Sequence, residues 1–323
     1  MTDTQNEVFK TPVNKIRLFE HGAPGSQNLK LTRKYYTEDM PDGRVKHIVQ
    51  NITDPDIVPY IPDGIGNSTD RQRIPAVLII PGGAFRRLVY NFEGEDVAKW
   101  LNSMGIAAFV LECRLPSDEH DNAEDVPLID AMRAMRVIRG RAQEFGIDEA
   151  KIGVMGFSAG GFMAALLSTA YESDVYAGYK YKDEYDKLSA RPDFAVCSYP
   201  VISIDDCIEA GKRYMSEEQV LERISDSKAK ILHKYNPDKL VRPDMPPVFI
   251  CETDDDRTTL SENSVGFYMA ARKAGVSAEL HIFRTGGHGY GCGDDFAQTG
   301  EWKVLFTKWI KSCLLYTSDA ADD

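Results

Sequence analysis

The stretch IGVMGFSAGGFMAALLS, residues 152–168, limits what this chain can fold into more than any other. An apolar run suited to a strand buried on both faces stops at Gly156, and a second apolar run of helical length starts at Ala159. Between them a lone serine, Ser158, stands among Gly156, Gly160 and Gly161. Glycine weakens strands and helices alike, so three at one junction mean that the backbone needs the room. GFSAG fits a G-x-S-x-G pattern, and its strand–turn–helix context gives that pattern meaning: a sharp turn lifts the serine hydroxyl clear of the sheet. Side chains two residues either side of the serine would collide, which glycine at 156 and 160 avoids. The new helix points its first N–H groups and the positive end of its dipole at the same spot. A tight turn with a capping serine is the plainer alternative.

Apolar runs and helical stripes alternate along much of the chain. PAVLIIPGG (75–83), IAAFVLEC, KIGVMG, DFAVCSYP, PPVFICETD and SAELHIFRT read as buried strands. EGEDVAKWLNSMG carries Val97, Trp100, Leu101 and Met104 on one stripe, and VPLIDAMRAMRVIRGRAQEFG reads as one long amphipathic helix closed by Gly146. AGGFMAALLSTAY is apolar nearly all round and therefore central, and further helices are expected near 261–274 and 301–312. Strand following helix following strand implies crossover units, hence an α/β fold with a mostly parallel sheet and helices on both faces. Residues 13–62 (NKIRLFE, LKLTRKYY, VKHIVQNI, separated by APGS and PDG) read as short strands forming a meander at one edge of a mixed sheet. Segments 171–190 and 203–245 break the alternation and read as helical or irregular lid or substrate-wall excursions over the sheet's carboxyl edge. Residues 1–312 are expected to form one domain. The end, CLLYTSDAADD, resembles a translated sequencing-adapter junction, so residues 313–323 are expected not to be biological.

A serine hydroxyl is a poor nucleophile until a base takes its proton. In the order Ser…Asp/Glu…His the base comes last. Of six histidines, His21, His47 and His120 precede the serine, His233 falls in the expected lid, and His281 lies inside a strand pattern. His288, in the glycine loop TGGHGYG after the last strand, can swing over the sheet's carboxyl edge. The acid should end the preceding strand, where FICETDDDRTT offers Asp254, Asp255 and Asp256. Side-chain chemistry alone does not separate these three. Acyl transfer also needs backbone N–H donors for an oxyanion. Ala159, which follows the serine, supplies one, and Gly82, Gly83 and Ala84 in the loop IIPGGAF are placed to supply the others.

A formal charge of −12 argues against nucleic acid or an anionic membrane as partner. No apolar run is long enough to span a bilayer and the polar start has no signal-peptide pattern, so a cytoplasmic location is expected. Six cysteines without C-x-x-C spacing suggest neither a zinc site nor a redox pair.

With these residues in hand, the chain resembles the α/β-hydrolase superfamily, and within it the bacterial cytoplasmic acetylesterases and acetylxylan esterases. The likeness runs from about Leu18 to Trp309, through LFEHGAPG, PAVLIIPGGAF, EGEDVAKWLNSMGIAAFVLECRL, IGVMGFSAGGFMAA, PPVFICETDDD, ENS and AELHIFRTGGHGYG. It implies an α/β-hydrolase fold with helical lid insertions. By that resemblance DRTTLSENS matches the family's D-x-V-V-P-x-E-N-S, placing the acid on Asp256. The resemblance implies a serine esterase of short acyl groups, with Ser158, His288 and Asp256 as its triad and Gly83, Ala84 and Ala159 as oxyanion donors. It implies no cofactor and no metal, and a small-molecule or oligosaccharide ester as substrate, acetylated xylo-oligosaccharide among them; the oligomeric state is left open. Ala84 and Phe85 stand where the family has glycine and tyrosine, Cys113 where it has tyrosine, and Thr258-Thr259-Leu260 where it has Val-Val-Pro. Segment 171–190 is longer than usual. A prolyl-oligopeptidase-type peptidase and a feruloyl-type esterase are rival activities on this fold. A non-catalytic binding protein would usually lack one triad member, and all three positions are filled here.

Overall fold

A computed structural model describes Phe9 and residues 11–65, 73–175, 177–179, 182–213, 215–216, 218–220, 229–294 and 298–319. The apolar runs do become the strands of one sheet. In chain order the elements are β1 (Ile16–Arg17), β2 (Lys34–Asp39), β3 (Val45–Gln50), β4 (Asp56–Tyr60), β5 (Ile74–Ile80), β6 (Leu88–Val89), α1 (Asp96–Ser103) and β7 (Ala107–Glu112). There follow α2 (Val126–Gly140), α3 (Ala142–Phe145), β8 (Ile147–Phe157), α4 (Ala159–Ala170), β9 (Ala195–Ser198), α5 (Ile204–Lys212) and α6 (Ala229–Lys234). The chain closes with β10 (Val248–Thr253), α7 (Ser261–Lys273), β11 (Ala278–Phe283) and α8 (Glu301–Asp319).

The main sheet has eight strands in the order β1-β4-β7-β5-β8-β9-β10-β11. From β7 to β11 every neighbouring pair is parallel, and β4 runs against both of its neighbours. Helices flank it: α1 packs on β7, α4 on β8 and β9, and α7 on β10 and β11. Every residue of β7 and β10 is buried: the apolar runs, as a strand covered on both faces requires, and with them Glu112 and Glu252 near the carboxyl ends. The chain steps from β5 outward to β7, then returns to β8 on β5's other side. The carboxyl ends of β5 and β8 therefore flank a point where the strand order reverses, the usual place for a ligand in such sheets.

Two readings of the first 62 residues change. No single edge meander forms: β2, β3 and β6 make a separate three-stranded sheet, and the antiparallel edge of the main sheet comes from β1 and β4. The sequence hides β4 because Pro59 lies inside it, paired with Phe109. The strand tolerates it because β1 pairs only with Ile57 and Asp56, leaving Pro59 no ladder bond to donate on that side. The long helix expected over 126–146 is two, since Arg141, at φ −106° and ψ 15°, ends α2. Gly140, just before that break, sits where a Cβ would come within 2.3 Å of the Tyr185 ring. Within 171–190, Asp183 and Asp186 bind Arg133 of α2.

Candidate active site

The turn after β8 is as crowded as its glycines imply. A Cβ on Gly156 would sit 1.9 Å from the Gly160 carbonyl oxygen, and one on Gly160 would sit 1.9 Å from that of Ile80. Ser158 between them holds φ 54° and ψ −119°, a sparsely populated conformation that costs an L-residue about 1–3 kcal/mol. Its N–H donates to the Ser198 carbonyl of β9 at 3.0 Å, which offsets part of that cost. Ser158 is 8% exposed, with its hydroxyl at the head of α4.

Three side chains far apart in the chain meet here. Ser158 Oγ lies 2.9 Å from His288 Nε2, and His288 Nδ1 lies 2.6 Å from Asp256 Oδ2. With Nδ1 carrying the hydrogen toward the carboxylate, Nε2 is free to accept from the serine. Asp256 is 1% exposed. Its Oδ1 accepts the backbone N–H groups of Thr258 (2.7 Å) and Thr259 (3.0 Å), and its Oδ2 accepts the Thr259 hydroxyl at 3.0 Å. Burial pushes this carboxyl up, but the bond to and charge of His288, with the two N–H groups, outweigh it and hold Asp256 below the usual range.

Backbone geometry separates the three neighbouring aspartates. Asp255 Oδ1 accepts the N–H groups of Gly286 (3.0 Å) and Gly287 (2.8 Å), clamping the loop that carries His288. Asp254 is exposed at the end of β10. Only Asp256 reaches the imidazole among them.

The loop after β5 faces the serine. Among the described residues, the N–H groups of Gly83, Ala84 and Ala159 bond to no protein acceptor, whereas that of Gly82 donates to Glu93 Oε2 at 2.9 Å. Gly83 has φ 137°, and a Cβ there would meet the Arg87 carbonyl oxygen at 2.1 Å. Ala84 and Phe85 hold φ of 56° and 59°, so the loop keeps its glycine-type conformation without the glycine.

Four contributors escape the sequence reading. Glu93, 5% exposed, ties the loops together: it accepts Gly82 N–H through Oε2 and the Tyr199 hydroxyl through Oε1 at 2.9 Å. Burial pushes its carboxyl up, against the pull of His288, Tyr199 and Gly82. Tyr199 in turn accepts the Gly291 N–H at 3.1 Å and sets its ring edge-on to His288, centroids 5.0 Å apart. Thr259 adds a hydroxyl to the acid's shell. Glu252, fully buried at the end of β10, has its carboxyl pushed well up by burial and then by the charge of Asp256. One of these was visible in principle: Glu93 stands four residues before Val97, on the apolar stripe of the helix that follows, where a charge facing solvent would not be.

A cleft of about 230 Å³ opens over Ser158 and His288, walled by Met40, Arg44, Lys46, Arg87 and Phe92 among others. A second, small space of about 20 Å³ is lined by Gly82, Ala159, Phe85, Cys113, Leu115 and Met163, with Arg87 on the lining of both. No group of three His, Cys, Asp or Glu side chains among the described residues is placed to hold a metal ion, and no helix among them is long and apolar enough to cross a membrane.

This architecture has known counterparts. An acetylxylan esterase of Xylanibacter ruminicola is 30% identical over 247 residues, 76% of this chain and 47% of that protein. Endo-1,4-beta-xylanase B of Butyrivibrio fibrisolvens is 31% identical over 227 residues, 70% of this chain and 34% of that protein. The chain thus matches less than half the length of either relative. The crystal structure of an acetyl ester-xyloside bifunctional hydrolase from Caldicellulosiruptor lactoaceticus superposes with a TM-score of 0.68 at 34% identity, covering 92% of this chain and 95% of that one. The family model described as BD-FAE matches residues 65–270, which include β5 with its loop, Ser158 and Asp256. On this match the chain belongs to the BD-FAE family, built on the α/β-hydrolase fold.

Proposed function

We propose that this protein is a serine carboxylesterase that removes short acyl groups, acetyl first among them, from carbohydrate esters such as acetylated xylo-oligosaccharides. The observation that carries the reading is the unbroken relay from Ser158 Oγ through His288 to Asp256, at 2.9 and 2.6 Å.

In this reading Ser158 Oγ attacks the ester carbonyl carbon while His288 Nε2 takes its proton. The carbonyl π electrons move onto oxygen, where the N–H groups of Ala159, Gly83 and Ala84 receive the charge. The tetrahedral species collapses, the bond to the alcohol oxygen breaks, and His288 returns the proton to that oxygen. Water then enters, gives its proton to His288 and attacks the acyl-serine; collapse releases the acid and restores the Ser158 hydroxyl. Asp256 holds Nδ1–H and stabilises the imidazolium in both halves. The N-terminus of α4 adds its dipole to the oxyanion site.

A short acyl group agrees with the small, mostly apolar space lined by Gly82 and Ala159, whose roughly 20 Å³ admits little more than a water-sized group. The naming of carbohydrate esters leans on the acetylxylan esterase and the acetyl ester-xyloside hydrolase that the chain resembles. The test is an acyl-length series of nitrophenyl esters run beside acetate release from acetylated xylo-oligosaccharides. The expected result is kcat/KM falling steeply beyond acetyl, with both activities abolished in Ser158→Ala. Retained activity in Ser158→Ala, or faster turnover of long or aromatic acyl groups, overturns the reading.

A further inference from the structure

The wall of the cleft facing the proposed nucleophile has a charge unlike that of the whole chain. The protein carries a formal charge of −12, yet Arg44, Lys46 and Arg87 all line this opening. Two come from the β2–β3 hairpin and the third from the segment just before β6, so the small separate sheet supplies the basic wall.

The three cations are not equivalent. Arg87 binds Glu38 of β2, and Arg44 binds Asp42 in the hairpin turn with its guanidinium 5.2 Å above the Phe92 ring. Lys46 lies opposite Glu38 in the ladder, but Arg87 holds that carboxylate, and Lys46 forms no ion pair among the described residues. The other carboxyl that feels its charge is Glu93, which is buried and whose two oxygens are already taken by Gly82 N–H and the Tyr199 hydroxyl. The backbone around Lys46 is pinned on both sides by Asn91: its amide donates to the Val45 carbonyl at 2.8 Å, and its oxygen accepts the His47 N–H at 3.0 Å. An ammonium group on a fixed strand, facing a cleft and holding no ion pair of its own among the described residues, is free to meet an anionic group on a ligand.

We infer that Lys46, flanked by Arg44 and Arg87, forms a subsite for a carboxylate on the substrate, so that the preferred ester carries an acidic group near its scissile bond. This rests on the esterase reading above and narrows it. If the short acyl group takes the small space lined by Gly82 and Ala159, the wider cleft is left to the alcohol portion, so the carboxylate belongs there, as in an acetylated oligosaccharide bearing a uronic acid. A half-ester of a dicarboxylic acid would present the same chemistry from the acyl side.

The experiment compares kcat/KM for acetylated neutral xylo-oligosaccharides, their uronate-bearing counterparts and a nitrophenyl hemisuccinate against nitrophenyl acetate. Wild type, Lys46→Gln and Lys46→Glu are measured at about 20 mM and about 500 mM NaCl. The readout is the acidic-to-neutral ratio, which a folding defect does not move. The expected ratio for the uronate pair is roughly three- to tenfold at low salt, collapsing toward one at high salt and in Lys46→Gln and inverting in Lys46→Glu. A preference for hemisuccinate alone places the anion on the acyl side and overturns the uronate assignment. A wild-type ratio of one, or a preference that survives Lys46→Glu, overturns the subsite while ester hydrolysis stands; no hydrolysis of any ester overturns the esterase reading instead.

Discussion

Replacing Glu93 probes whether the oxyanion loop is held from behind. The side chain accepts two buried donors, Gly82 N–H and the Tyr199 hydroxyl, both at 2.9 Å. Glutamine keeps the shape but offers one acceptor oxygen. With that oxygen on Gly82 N–H, its NH₂ faces Tyr199, whose hydroxyl already accepts from Gly291 at 3.1 Å and must send its own proton elsewhere. One orphaned buried donor costs about 1–3 kcal/mol. Alanine orphans both donors and leaves a void under Gly82. Part of either cost falls on stability, and part appears as loosened aim of the neighbouring N–H groups of Gly83 and Ala84. At 1.36 kcal/mol per decade, Glu93→Gln is expected to lower kcat about 3- to 30-fold and Glu93→Ala roughly 100-fold. KM should change little, because the oxyanion exists only in the transition state. The assay is steady-state hydrolysis of nitrophenyl acetate with thermal unfolding alongside. Glu93→Ala with wild-type kcat and an unchanged melting temperature refutes the bracing role.

Other outcomes follow from the same contacts. Thr259→Val removes one of four donors to Asp256 while keeping the volume; it should cost about 1 kcal/mol, a several-fold loss of kcat, and no loss means that the two N–H groups and His288 suffice. Glu252 is a buried carboxyl raised well above its ordinary 4.5. Such a group stabilises the fold fully below its unfolded pKa and loses that contribution as pH rises through its folded value. Glutamine cannot titrate, so the stability advantage of wild type over Glu252→Gln should shrink by up to about 1.4 kcal/mol per pH unit above 4.5; a flat difference in urea titrations contradicts this. Arg114→Met leaves the fully buried Asp130 without its cation and strips hydrogen bonds from Pro24 and Ser26, an expected loss of about 3–5 kcal/mol in urea unfolding.

What the sequence discloses here follows from what the chemistry leaves no choice about. The elbow was legible because glycine at 156 and 160 has no substitute: a Cβ at either meets a carbonyl oxygen at 1.9 Å. His288 was legible because other histidines sit in strands, in the expected lid or ahead of the serine. Side-chain chemistry did not separate Asp254, Asp255 and Asp256, and only the family resemblance pointed to Asp256, since the choice depends on which carboxylate the backbone turns toward the Thr258–Thr259 N–H groups and which toward Gly286 and Gly287. Composition hides Glu93 for another reason. By composition the run NFEGED looks like a solvated helix start; the apolar stripe turns Glu93 inward, but only the fold supplies Gly82 and Tyr199 as its partners. Likewise, local pattern shows β2 and β3 as strands but not that they leave the main sheet, because partner choice is a long-range matter.

The most direct test of the account is active-site labelling. Incubation with a fluorophosphonate, followed by digestion and mass spectrometry, should yield one adduct, on Ser158. Labelling should slow by at least about a hundredfold in His288→Ala, the usual worth of a positioned general base. An adduct on another residue, or wild-type labelling speed without the imidazole, contradicts the account.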